Sequence, residues 1–153
     1  MPADDARAVR AAAVAWLARR DHASGELGAR LRAKGFDPAL VAQALRELTA
    51  EHALDDARYA ENYVAYHAGR GQGPVRIAAD LKALGLPGEL IGAALDAGPD
   101  WRALARRERD RKFGAGDPGA LRERVRQARF LQYRGFSADH IRSALGRDFT
   151  TDE

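Results

Sequence analysis

Cysteine is absent from this chain of 153 residues, so it holds no disulfide framework and no thiolate metal ligand. That is the usage of a protein kept in a reducing cytosol. Aromatic residues are scarce, at 7%. β-Branched residues are few beside Ala, Leu and Arg, a balance that favours helices over strands. Nowhere do about eighteen apolar residues run together, and the opening MPADDARAVR lacks the apolar core of a secretory signal. Neither a membrane protein nor a secreted one is expected, and the cytoplasm is the expected compartment.

Catalytic signatures are missing as well. His22, His52, His67 and His140 lack metal-ligand spacing, and no HExxH occurs. The pair Asp55-Asp56 reads as helix caps rather than as a metal site. The run GRGQGP over 69–74 looks superficially like a phosphate loop. It follows a helix instead of a strand, however, and no Gly-Lys-Ser/Thr comes after it. It reads as a flexible connection. No enzymatic activity, metal or cofactor is expected.

What is present is a fifteen-residue frame written three times: LRAKGFDPALVAQAL at 31–45, LKALGLPGELIGAAL at 81–95 and LQYRGFSADHIRSAL at 131–145. Each copy opens on leucine, places glycine four residues on (Gly35, Gly85, Gly135), follows it with a large apolar residue and closes on Ala-Leu. A fixed period of fifty residues is the mark of a repeat architecture. In the first copy's unit, Val9, Ala13, Trp16 and Leu17 share one helical face. Ser24 is a candidate N-cap with Glu26 in the first turn, Gly35 is a helix stop, and Asp37-Pro38 opens a third helix with Leu40, Val41, Ala44, Leu45 and Leu48 inward.

The other units follow the plan. Asp55-Asp56 caps a helix carrying Tyr59, Ala60, Tyr63 and Val64, Pro74 starts the next, and Pro87 the third. Asp100 caps a helix with Trp101, Leu104, Ala105 and Phe113 inward. A longer helix then begins near Pro118 with Leu121, Val125, Ala128 and Leu131 as its apolar stripe, and Ser137 caps the last. The expected fold is all-α: three tandem three-helix repeats in an elongated array able to curve, at 1–52, 53–98 and 99–149, with a frayed tail at 150–153. A unit of about fifty residues buries little surface alone, so neighbours are expected to touch.

Charge is unevenly spread. Residues 1–50 hold eight Lys/Arg and six Asp/Glu, residues 51–100 four and eight, and residues 101–153 thirteen and eight. The net charges are thus +2, −4 and +5. Arg122, Arg126 and Arg129 form a stripe beside the apolar one, with Arg134 just beyond, and Glu123 and Asp139 are the only acids from 120 to 147. Such a stripe binds phosphates in a salt-sensitive way; equally, it can be a solvated helix face. Arg102, Arg106 and Arg109 line the preceding helix, interrupted by Glu108 and Asp110. Arg19 and Arg20 either complement a helix C-terminus or join the basic surface. Most aromatics fall at core phase; Phe130 and Tyr133 straddle the stripe beside Arg129 and Arg134, where one of them can stack on a base.

The segments LARRDHASGELGARLRAKGF, LDDARYAENYV, GQGPVRIAADLKALGL and RQARFLQYRGFSADHIRSAL resemble, in that order, the RecX family of bacterial RecA modulators, across about residues 12–146. The resemblance implies a small helical-repeat protein that binds RecA and its single-stranded DNA filament. It implies restraint of ATP hydrolysis, strand exchange and co-protease function. A monomer is expected, with Arg19, Arg20, Arg122, Arg126, Arg129 and Arg134 as candidate contacts to the filament or its DNA. Two alternatives stay open: three-helix units that read duplex DNA as helix-turn-helix modules, and a helical interaction module that meets no nucleic acid.

Overall fold

The computed structural model describes residues 5–146; the predicted tail at 150–153 lies outside them. Among the described residues there are nine helices and no strand. They are α1 (Ala6–Arg19), α2 (Ser24–Ala33), α3 (Pro38–Ala50), α4 (Asp56–Gly69), α5 (Pro74–Ala83), α6 (Gly88–Asp96), α7 (Trp101–Phe113), α8 (Leu121–Arg134) and α9 (Ala138–Leu145). The all-α reading in threes holds. Among the described residues no helix is long and apolar enough to cross a membrane.

The repeated frame is a helix-ending device. Gly35, Gly85 and Gly135 take φ of +94°, +90° and +97°, a region glycine enters without the penalty a Cβ brings. In each case the glycine N–H donates three residues back, to Arg32, Lys82 and Gln132. The next N–H reaches the opening leucine of the frame: Phe36 to Leu31, Leu86 to Leu81 and Phe136 to Leu131, at 3.1–3.3 Å. This is the Schellman closure, in which the residue after the glycine packs back on the helix it ends. The three opening leucines are fully buried.

The chain forms two compact units. One comprises Met1–Ala60 with Leu81–Ile91, the other Glu61–Asp80 with Gly92–Glu153, and the division falls inside α4, α5 and α6. The first unit's core gathers Val9, Ala13, Leu27, Leu31, Val41, Ala44, Leu48 and Leu54, flanked by Trp16, Leu17, Phe36 and Leu40. The second buries Val64, Ile77, Leu104, Ala105, Leu131, Phe136, Ile141 and Leu145.

Capping divides the helices into two kinds. Asp5, Asp37, Asp55, Asp100 and Ser137 each accept from a backbone N–H in the first turn of the helix they precede, α1, α3, α4, α7 and α9. The second helices of the first two repeats are closed from outside. Ser24 is not the cap of α2 but its first residue: the preceding Ala23 offers no side-chain bond. Asp56, at the head of α4, supplies the acceptor, taking the Ser24 N–H at 2.8 Å and its hydroxyl at 2.6 Å. Here the sequence pattern named the right residue in the wrong role, because the acceptor comes from 32 residues away.

The 69–73 segment is likewise not a free hinge. The Gly73 N–H donates to the Arg134 carbonyl at 2.8 Å and the Val75 N–H to Gly135 at 2.9 Å. A Cβ on Gly73 would stand 2.5 Å from the Gly135 carbonyl carbon, and one on Gly135 would stand 2.3 Å from the Arg76 Cβ. The glycines are there so that two backbones can meet, which is why the run resembled a loop built for motion. The first unit has a counterpart, where a Cβ on Gly25 would lie 3.1 Å from the Leu84 carbonyl oxygen.

Candidate functional site

The third repeat departs from the other two before its second helix. The expected start near Pro118 is replaced by a turn in which Gly119 (φ +75°) donates to the Asp117 carboxylate and the Ala120 N–H bonds Pro118. α8 then begins at Leu121. The expected inward stripe is rotated. Leu131 is fully buried, but Leu121 is 67% exposed. The buried positions on α8 are Gln127 and Leu131.

A buried arginine causes the rotation. Arg109, read from sequence as part of a surface stripe, is 6% exposed. Its guanidinium donates to the Gln127 Oε1 at 3.1 Å, the Asp110 carboxylate at 3.1 Å, the Ala144 carbonyl at 3.3 Å and the Gly116 carbonyl. A buried cation needs its donors satisfied, and Gln127 must therefore face inward. Once Gln127 is inside, positions 122, 126 and 129 are turned to solvent.

Arg122, Arg126 and Arg129 are indeed exposed. With Leu121 and Val125 they line an open groove of about 600 Å³. Arg126 is held: it bonds Glu123 at 2.7 Å and lies 4.9 Å over the Phe113 ring. Among the described residues, Arg122 and Arg129 make no hydrogen bond, ion pair or ring contact. Phe113 meets Phe130 edge to face, with centroids 5.4 Å apart at 89°, the geometry that ring quadrupoles favour. Lys112 and Arg134 lie 5.8 and 5.2 Å over Phe130. Cations stacked in this way keep their charge while their stems cover apolar surface.

Arg134 extends the patch. It donates to the Arg70 carbonyl at 3.3 Å, and Arg70 in turn donates to the Tyr66 hydroxyl at 3.2 Å while lying over that ring. Tyr66 is 60% and Tyr133 78% exposed. Of the pair flanking the stripe, Tyr133 is thus the open ring and Phe130 the half-buried one. Tyr66, Arg70 and Lys112 were not singled out by the sequence pattern. The i, i+4 spacing of Tyr66 and Arg70 was the available signal.

The first unit's candidates differ. Arg20 donates to Glu26 at 2.7 Å, and that hydrogen bond raises the guanidinium pKa above its ordinary value. Arg10 pairs with Glu51 at 2.6 Å, and Arg30 and Lys34 lie over Trp16. Arg19 is exposed at the end of α1.

The geometry defines a tandem three-helix repeat protein whose third repeat carries a basic face flanked by the exposed ring of Tyr133. Family profiles described as the first, second and third three-helix domains of RecX match residues 10–48, 55–95 and 100–145. The chain is 48% identical over 147 residues to the regulatory protein RecX of Halorhodospira halophila, covering 95% of this chain and 91% of that protein. It is 43% identical over 139 residues to that of Pseudomonas fluorescens, with 90% of each covered. The crystal structure of RecX from Lactobacillus salivarius superposes with a TM-score of 0.79 at 19% identity, covering 92% of this chain and 94% of that one. The chain belongs to the RecX family.

Proposed function

We propose that this protein is a non-enzymatic negative modulator of the RecA recombinase. It engages the RecA–single-stranded DNA filament as a monomer and restrains ATP hydrolysis, strand exchange and co-protease function. Membership of a family whose relatives are named regulatory proteins supports the regulatory part of this reading. The observation that carries the contact is the outer face of α8, where Arg122 and Arg129 stand exposed with no internal partner. Unpaired guanidiniums are free to take phosphates or carboxylates without first breaking a bond.

Arg126 and Arg134 add to this face and Arg19 to the first repeat, while Arg20 is largely taken up by Glu26. The middle block, of net charge −4, suits protein rather than DNA. Bridging successive recombinase subunits would oppose the motions coupled to ATP turnover. The helix-turn-helix alternative has less support, because the exposed positions of α6 and α9 include Glu89, Asp96 and Asp139, which repel a phosphate backbone.

The test is the single-stranded-DNA-dependent ATPase of RecA, titrated with the protein. Inhibition at or below one protein per filament subunit is expected, and the Arg122→Glu/Arg129→Glu double variant should weaken it about tenfold or more. No inhibition by the folded parent protein overturns the proposal. Full inhibition by the double variant would move the contact off α8.

A further inference from the structure

α8 starts one turn ahead of the repeat. The period of fifty aligns Ser24 and Pro74, the first residues of α2 and α5, with position 124, yet α8 begins at Leu121. The added turn buries no residue of its own, although Glu123 accepts from the amide of the buried Gln127 at 3.3 Å. Leu121 is 67% exposed, Arg122 is exposed and unpartnered, and Glu123 is spent on Arg126. A single exposed leucine is ordinary; here Leu121 and the half-buried Val125 form an apolar floor beside two unpartnered cations, and that combination gives the patch its chemistry.

Resting on the filament-binding reading, we infer that this groove docks an acidic amphipathic helix of the protein partner rather than the DNA strand. The floor of the groove is Leu121 with Val125, and its walls are Arg122, Arg126 and Arg129. No ring lines it, so it lacks the aromatic platform on which successive bases stack, and its aliphatic floor suits an apolar side chain better than a nucleotide. A leucine-like side chain fits the floor. Arg122 and Arg129 are seven residues apart, two turns or about 10 Å along α8. Two carboxylates at i and i+7 on a facing helix meet that spacing. With Arg126 already neutralised by Glu123, the charge left to satisfy is two, which matches two acids flanking one apolar anchor. The exposed rings Tyr66 and Tyr133 lie outside the groove lining and remain available to nucleic acid.

The test places a photo-crosslinker at the groove, as Leu121→p-benzoylphenylalanine in the full chain, bound to the filament and irradiated. The expected adduct is with the recombinase polypeptide, at a helix bearing leucine between acids, and its yield falls when Arg122 and Arg129 are also reversed to glutamate. Adducts with the DNA strand, or none although the chain co-sediments with the filament, overturn the docking inference and leave the filament reading standing. Absence of co-sedimentation by the parent protein takes down both. As a second measurement, Leu121→Asp, checked for unchanged helicity, should lower filament affinity about tenfold, the scale of one lost leucine contact; unchanged affinity overturns the inference.

Discussion

Asp56 holds Ser24 by both of its carboxylate oxygens, one on the backbone N–H at 2.8 Å and one on the hydroxyl at 2.6 Å. The residue that opens α4 therefore closes the N-terminus of α2. Asp56→Ala removes both bonds and uncaps α2, so it should cost about 2 kcal/mol. Ser24→Ala removes only the hydroxyl bond and should cost about 1 kcal/mol. Urea denaturation of the two variants gives the order, and equal losses would mean that the backbone bond is worth nothing.

Glycine substitutions should separate the helix-stop role from the close-approach role. Gly35 has φ +94° but open space around its missing Cβ, whereas Gly135 has φ +97° with Arg76 in the way. Gly35→Ala should therefore cost about 1 kcal/mol, from backbone strain alone. Gly135→Ala should cost about 3 kcal/mol or more, because strain is joined by a clash with backbone. Thermal midpoints of the two variants, compared with the parent, read the difference directly.

Loss of Arg109 should loosen a whole quarter of the chain. Arg109→Met leaves Gln127, the Ala144 carbonyl and the Gly116 carbonyl without their donor, at a cost of about 3 kcal/mol. Hydrogen exchange should accelerate over 114–120 and the first turns of α8 before it changes in α1–α3. Uniform acceleration across the chain would contradict the local role given to this side chain.

Stability should fall on mild acidification. Burial pushes His22, 4% exposed, below the ordinary 6.5, and His140 is lowered the same way, with the Arg102 charge adding to burial. Above pH 6.5 both rings are neutral folded and unfolded, so there is no penalty. Below it the unfolded chain takes up protons first, and stability is lost progressively towards the folded values. The urea midpoint should drop between pH 7.5 and pH 5.5, and a His22→Gln/His140→Gln variant should flatten that slope. The stability lent by ion pairs such as Glu51 with Arg10, whose hydrogen bond lowers the Glu51 pKa, is present above the ordinary 4.5 and is lost only as the pH falls below it.

How much of this was legible in the chain differs by length scale. The period, the helix stops at Gly35, Gly85 and Gly135 and the inward leucines are local patterns, and periodicity reads them well. The exposure of Arg122, Arg126 and Arg129 was also legible, since a 3.6-residue period separates them from Leu131. What failed was whatever a residue distant in the chain supplies, from the next repeat or from a neighbouring helix of the same one. Ser24 needs Asp56, Gly73 needs Gly135, and Leu121 is put outside by Arg109 through Gln127; none of these pairings leaves a trace in local spacing. Arg109 in particular looks like any other arginine in a basic helix until the three carbonyl and amide oxygens around it are placed.

The joint at Gly73 and Gly135 has a consequence for how the chain is made. The Gly73 and Val75 N–H groups find their acceptors at Arg134 and Gly135, about sixty residues downstream. A chain leaving the ribosome thus has only water for these two N–H groups until residue 135 has emerged. A nascent chain stalled before that point would present an open helix end to water, and protection of the Gly73 and Val75 amides from hydrogen exchange should appear only once residue 135 is free to pair.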